Sequence, residues 1–161
     1  GLSSKSIRQL RPDIKPQSIT LAKTFLMAAN HNYFGEISKE NVSLSGITHM
    51  KDKSLKTTMN YLHHADFFIG LSSGLSWLAW AMRKKVFMIA NFSRTDHEFQ
   101  TDCVRITYDS VCNGCWNNPM FRLDKGNWEY CPEHEDTPRQ FECHKQIKAE
   151  RVIQEIKKAG F

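Results

Sequence analysis

A chain of 161 residues, 40% hydrophobic and 11% aromatic, has the length and apolar content for one domain with its own core. Its longest apolar runs, Phe67–Leu71 and Val86–Ala90, fall far short of the ~20 residues that cross a bilayer, and residues 1–10 hold no signal-peptide apolar stretch, so a membrane span is excluded and a cytoplasmic protein is expected. The formal charge of +5, from 22 basic and 17 acidic residues, suits nucleic acid, a nucleotide diphosphate or an acidic partner without choosing among them.

Residues 1–17, polar and carrying Pro12 and Pro16, read as a loose N-terminal segment. Ser18 is placed to cap a helix over 19–30, where Ile19, Ala22, Phe25, Leu26 and Ala29 share one face. Tyr33–Ile37 reads as a short strand interrupted by Gly35, followed by a loop to Asp52. Ser54 then opens a helix with Leu55, Met59 and Leu62 on one side, ending at His63, His64 and Asp66. The continuous apolar run Phe67–Leu71 fits a central parallel strand. A Ser72-Ser73-Gly74 turn leads into an apolar helix over 75–83 with Trp77 and Trp80 as core residues, and Arg83, Lys84 and Lys85 suit its C-terminal end. Val86–Ala90 and Cys103–Tyr108 are the next strands, and an amphipathic helix over 145–158 carries Ile147, Val152, Ile153 and Ile156 on one stripe. Helix, strand, helix, strand over 54–90 predicts an α/β fold, a single Rossmann-like lobe with a parallel sheet covered by helices. The predicted division is a lobe over 18–108, a turn-rich stretch over 109–144 and a C-terminal helix over 145–161.

Two constellations carry chemistry. Ser72, Ser73, Gly74 and Leu75 stand where a buried strand gives way to a helix, whose first N–H groups lack intrahelical acceptors and carry partial positive charge. Small side chains there admit a phosphate, although a simple capped turn has the same composition. The second is Cys112-x2-Cys115-x15-Cys131-x11-Cys143. Four clustered cysteines in a reducing compartment predict a tetrahedral thiolate site for zinc or iron, which replaces the core that a polar stretch lacks. With no open position it reads as structural, and His134 or His144 could stand in for one cysteine. Cys103 reads as a small buried residue. His97 and Glu98 lie in a loop leaving the carboxyl end of a strand, where α/β proteins bind ligands. His63, His64 and Asp66 are more simply decoration of a helix end than an acid/base group.

From Ile37 to Cys143 the chain resembles the bacterial autotransporter heptosyltransferases, the strand-loop-strand O-heptosyltransferases related to those of lipopolysaccharide synthesis. The residues that carry the likeness are Ile37-Ser38-Lys39-Glu40-Asn41, the block from His64 to Ala81, Phe87-Met88-Ile89-Ala90-Asn91-Phe92-Ser93, His97-Glu98-Phe99 and the four cysteines. The resemblance implies the C-terminal half of a GT-B glycosyltransferase, with ADP-heptose as donor and serines of an autotransporter adhesin as acceptor. It implies that Ser72, Ser73, Gly74 and Leu75 meet the donor diphosphate, that Glu40 lies near the ribose, that Lys23 contacts the diphosphate, and that iron, with zinc as the alternative, occupies a finger of Cys112, Cys115, Cys131 and Cys143. Family members are longer, and their catalytic N-terminal lobe has no counterpart in these residues, so a truncated or inactive form is expected, with catalytic residues unassigned. Two other classes stay open. One is an assembly module in which finger and C-terminal helix form a homo-oligomer interface. The other, ranked last, is a zinc-ribbon nucleic-acid module using Trp116 and Trp128.

Overall fold

The computed structural model describes residues 33–35, 50, 53–121 and 131–161. Among these, four parallel strands pair in chain order: β1 (Tyr33–Gly35), β2 (Phe67–Leu71), β3 (Lys85–Ile89) and β4 (Cys103–Ile106). The register aligns Leu71 with Ile89 and Ile89 with Ile106, so the carboxyl ends of β2, β3 and β4 finish on one edge.

Helix α1 (Leu55–His64) starts at Ser54, whose Oγ accepts from the Thr57 N–H at 3.1 Å, and stops where Ala65 turns extended. Helix α2 (Gly74–Ala81) joins β2 to β3. Its exit is tight: Arg83 takes a left-handed φ of 60°, and Lys84 N–H donates to the Ala79 carbonyl at 3.0 Å. That is why β3 begins at Lys85, with the basic triplet split between turn and strand.

Both faces of the sheet are covered. Because side chains alternate along a strand, Phe67, Ile69, Phe87, Ile89 and Ile106 point to one face, and Phe68, Val86, Met88 and Ala90 to the other. The second face packs Leu62 of α1 and Ala79 of α2. The first is closed by Ile147 and by Val152 and Ile156 of α4 (Ala149–Lys158). Each of these side chains contributes ~1.5–3 kcal/mol when fully buried. The helix expected over 145–158 is in fact two: α3 (Glu142–Lys145) and α4. Ile147, 2% exposed, drops into the core between them, and Lys148 is extended, which interrupts the helix there. The predicted helix over 19–30 lies outside the described residues. No helix among those described is long and apolar enough to cross a membrane.

Candidate functional site

The carboxyl edge of the sheet gathers three connections. After β2 comes the Ser72-Ser73-Gly74 turn. Ser73 is the N-cap of α2: its Oγ accepts from the Leu75 N–H at 3.2 Å, while its own N–H donates to the Ser76 Oγ at 3.2 Å. Ser76 Oγ in turn donates to the Ser73 carbonyl at 2.7 Å. This reciprocal cap fixes the turn and commits the Ser73 hydroxyl locally. Ser72 and Gly74 are exposed. A Cβ added at Gly74 would meet nothing within 4 Å, so the approach to the start of α2 is open.

After β3 comes a loop that faces inward. Asn91, 1% exposed, donates from Nδ2 to the Cys143 carbonyl at 2.7 Å and accepts at Oδ1 from the Tyr108 N–H at 2.9 Å. Glu98 is buried too: it pairs with Arg105 of β4 and accepts at 2.6 Å from the Ser93 hydroxyl. Burial holds the Arg105 guanidinium below its usual range. Glu98 thus anchors the loop, while His97 stands exposed beside it. Sequence reasoning grouped those two and missed Asn91 and Arg105, whose roles depend on β3 and β4 lying side by side.

After β4 comes the cysteine stretch, bonded to that same loop. Gly114 N–H donates to the Asn91 carbonyl at 2.8 Å, Trp116 N–H to the Phe92 carbonyl at 3.0 Å, and Arg94 N–H to the Asn117 Oδ1 at 2.9 Å. Cys115, Cys131 and Cys143 are buried and Cys112 partly so. Burial, then the neighbouring Cys112, Glu133 and Cys131, push the Cys115 thiol up to about 12. Burial, then Cys112, Cys131 and Cys115, do the same for Cys143. Burial and the adjacent Glu133 and Cys131 also raise Cys112. Cys112, Cys115 and Cys143, each pushed up by burial and by neighbouring sulfur, belong to a donor set that a metal cation would satisfy. Cys112 and Cys115 with Glu133 form one group whose ligand atoms all lie within 4.8 Å of one another, and Cys112, His134 and Glu142 form a second. The four sulfurs together make no such group among the described residues, so a shared ion would have to draw Cys131 and Cys143 inward. Burial pushes His144 down to about 4.

Other predicted positions fall as follows. Cys103 is half-buried beside the α2 face, and burial raises its thiol to about 11. His63 and His64 end α1 exposed, their rings edge to face. Trp77 is 43% exposed with its ring against Phe99, and Trp80 stacks on Phe99. Lys23, Glu40 and Trp128 lie outside the described residues.

The sequence matches no protein-family model. It is 48% identical over 98 residues to the autotransporter heptosyltransferase Aah of Escherichia coli, a match covering 61% of this chain and 25% of the relative. The chain is homologous to the autotransporter heptosyltransferases. TibC of E. coli strain H10407 is 45% identical over 98 residues, covering 61% of this chain and 24% of TibC. A relative from Burkholderia thailandensis, BimC, described as an inactive autotransporter heptosyltransferase, is 32% identical over 124 residues, covering 76% of this chain and 29% of that protein. The chain thus spans about a quarter of the length of the curated relatives it matches. Among solved structures, a dodecameric, iron-containing TibC in complex with ADP-D-β-D-heptose superposes with a TM-score of 0.61 at 44% identity, covering 65% of this chain and 27% of TibC. The α/β fold with its parallel sheet agrees with that relationship.

Proposed function

We propose that this chain is the donor-binding part of a protein O-heptosyltransferase, which takes heptose from ADP-heptose to serines of an autotransporter adhesin. The observation that carries this is the open, rigidly capped Ser72-Ser73-Gly74 turn on the carboxyl edge of the sheet, in a chain homologous to heptosyltransferases. The start of α2 offers N–H groups and partial positive charge to a diphosphate, and Gly74 lets it come close. Stabilising the departing ADP in this way needs no metal at the reacting bond. Lys23 and Glu40 are the further donor contacts in this reading, to diphosphate and ribose.

In the same reading Cys112, Cys115, Cys131 and Cys143 hold iron, with zinc as the alternative. Support comes from the close approach of Cys112 and Cys115, from the burial of Cys115, Cys131 and Cys143, and from the Phe141 N–H, which donates to the Cys131 Sγ at 3.5 Å as donors beside bound thiolates do. The metal supplies a cross-link between segments that share little apolar core. Reduced thiols accord with the cytoplasm. A homo-oligomer is proposed by analogy with dodecameric TibC. An inactive, donor-binding form is the second reading, favoured by the kinship with BimC.

Calorimetric titration with ADP tests the turn. ADP should bind, and Gly74→Trp, which meets open space in the folded chain, should weaken it at least about tenfold, a loss of ~1.4 kcal/mol, with unchanged unfolding. Equal affinity in the variant would reject the turn as the site. Cys112→Ser should lower metal content measured by mass spectrometry; full retention would reject the finger.

A further inference from the structure

We propose that His134 belongs to the metal centre as the hydrogen-bond donor to the Cys112 sulfur, through Nε2–H. This rests on the four-cysteine reading above. His134 Nε2 is buried and has no hydrogen-bond partner, and a buried orphan of that kind calls for a group that is missing or changed. Among the described residues a ring nitrogen of His134, the Cys112 Sγ and a Glu142 carboxylate oxygen all lie within 4.8 Å of one another. Glu142 is the obvious competitor, its Oε1 3.7 Å from Nε2, but its two oxygens are already engaged by Arg139, whose Nε donates to them at 3.1 and 3.0 Å.

The remaining acceptor is sulfur. A thiol sulfur is a weak acceptor. A metal-bound thiolate is charged and accepts strongly. Cys112 is also the least buried residue of the four. His134 therefore acts through Cys112 as a positioning residue and not as a ligand. A hydrogen bond to the sulfur of an iron–thiolate site favours the more negative ferrous state, and so raises the reduction potential.

The test is a spectroelectrochemical titration of the iron-loaded full chain. At the wild-type midpoint, His134→Phe should shift the ferric-to-ferrous ratio about tenfold toward ferric, which is ~59 mV for one electron. His134→Gln, which keeps an N–H of similar reach, should recover most of that shift. If the phenyl ring prevents folding, His134→Ala removes the donor without adding bulk. Thiolate-to-iron absorption should persist in every variant. Unchanged midpoints in the Phe and Ala variants overturn the inference alone. Loss of iron on removing the imidazole overturns it in favour of His134 as a ligand. If the wild type takes up iron without thiolate-to-iron absorption, or takes up none, the four-cysteine reading fails and this inference falls with it.

Discussion

Asn91 ties the cysteine stretch to the sheet, and its replacement by alanine puts a number on that tie. The side chain is 1% exposed and makes two good bonds, to the Cys143 carbonyl at 2.7 Å and from the Tyr108 N–H at 2.9 Å; a third, from Nδ2 to the Tyr108 carbonyl, is long at 3.4 Å. Alanine leaves one buried carbonyl and one part-buried N–H unanswered, at ~1–3 kcal/mol each, the second toward the lower end. The sum, about 3 kcal/mol after partial relaxation, is a large share of the ~5–15 kcal/mol that holds a domain folded. With a urea dependence of ~2 kcal/mol/M, the midpoint followed by tryptophan fluorescence should fall by about 1.5 M. Hydrogen exchange should quicken at Tyr108 and across 112–116 and 141–146, and stay slow in β2. A loss under ~1 kcal/mol, or exchange quickened equally everywhere, would refute the role. Asn91→Asp sharpens the test, because it keeps the acceptor and sets a carboxylate against the Cys143 carbonyl. Burial would raise that carboxyl's folded-state pKa above the unfolded ~3.9, so the folded state would bind more protons. The deficit against wild type should then grow as pH rises from about 4 toward the folded-state pKa and stay flat below about 4.

Three further substitutions follow from the same geometry. Glu98→Ala strands the Arg105 guanidinium, whose side chain is 15% exposed, and should cost ~3–5 kcal/mol in urea unfolding; a near-neutral effect would mean that the pair is solvated. Gly114→Ala forces a side chain to φ +70° with its Cβ 2.7 Å from the Arg94 Cγ. It should cost about 1–2 kcal/mol and speed metal loss to a chelator, and chelation at the wild-type rate would count against it. Arg83→Gly relieves a left-handed φ of 60°, and after the greater unfolded-state entropy of glycine it should raise stability by about 0.5–1 kcal/mol; a lower unfolding midpoint would show that the Arg83 side chain matters more than its backbone.

The elements legible in the sequence were those that local chemistry decides. Phe67–Leu71 was readable to the residue because a run of five apolar positions between a polar helix end and a serine turn has no comparable alternative. Ser54 and Ser73 marked helix starts because a hydroxyl at that position answers a free N–H. What long-range contacts decide was hidden. Asn91 after a strand looks like the start of a loop, and its burial depends on a carbonyl 52 positions away. Glu98 looked like an available ligand because Arg105, seven positions later, faces it only once β4 lies beside β3. The amphipathic stripe of 147–156 was real, but the break at Lys148 follows from where Ile147 fits in the core, which periodicity does not encode.

The two candidate sites stand on one edge because the strands are parallel. With Leu71, Ile89 and Ile106 in register, whatever follows β2, β3 and β4 emerges side by side. The middle connection then decides how the other two communicate. It holds the cysteine stretch through the Asn91 and Phe92 carbonyls and the Arg94 N–H, and it leaves β3 next to the strand that feeds the serine turn. Its own position is pinned by Glu98 on Arg105, an attachment to the sheet that involves none of the four cysteines. Drawing the cysteines together on a metal therefore pulls against a loop fixed at two points. The junction between that loop and the cysteine stretch is Gly114, where the backbone occupies φ +70° and the Arg94 side chain packs against it. In the proposed four-cysteine reading, metal binding and release would therefore act on the segment after β4, while the start of α2 is held by its own reciprocal cap between Ser73 and Ser76.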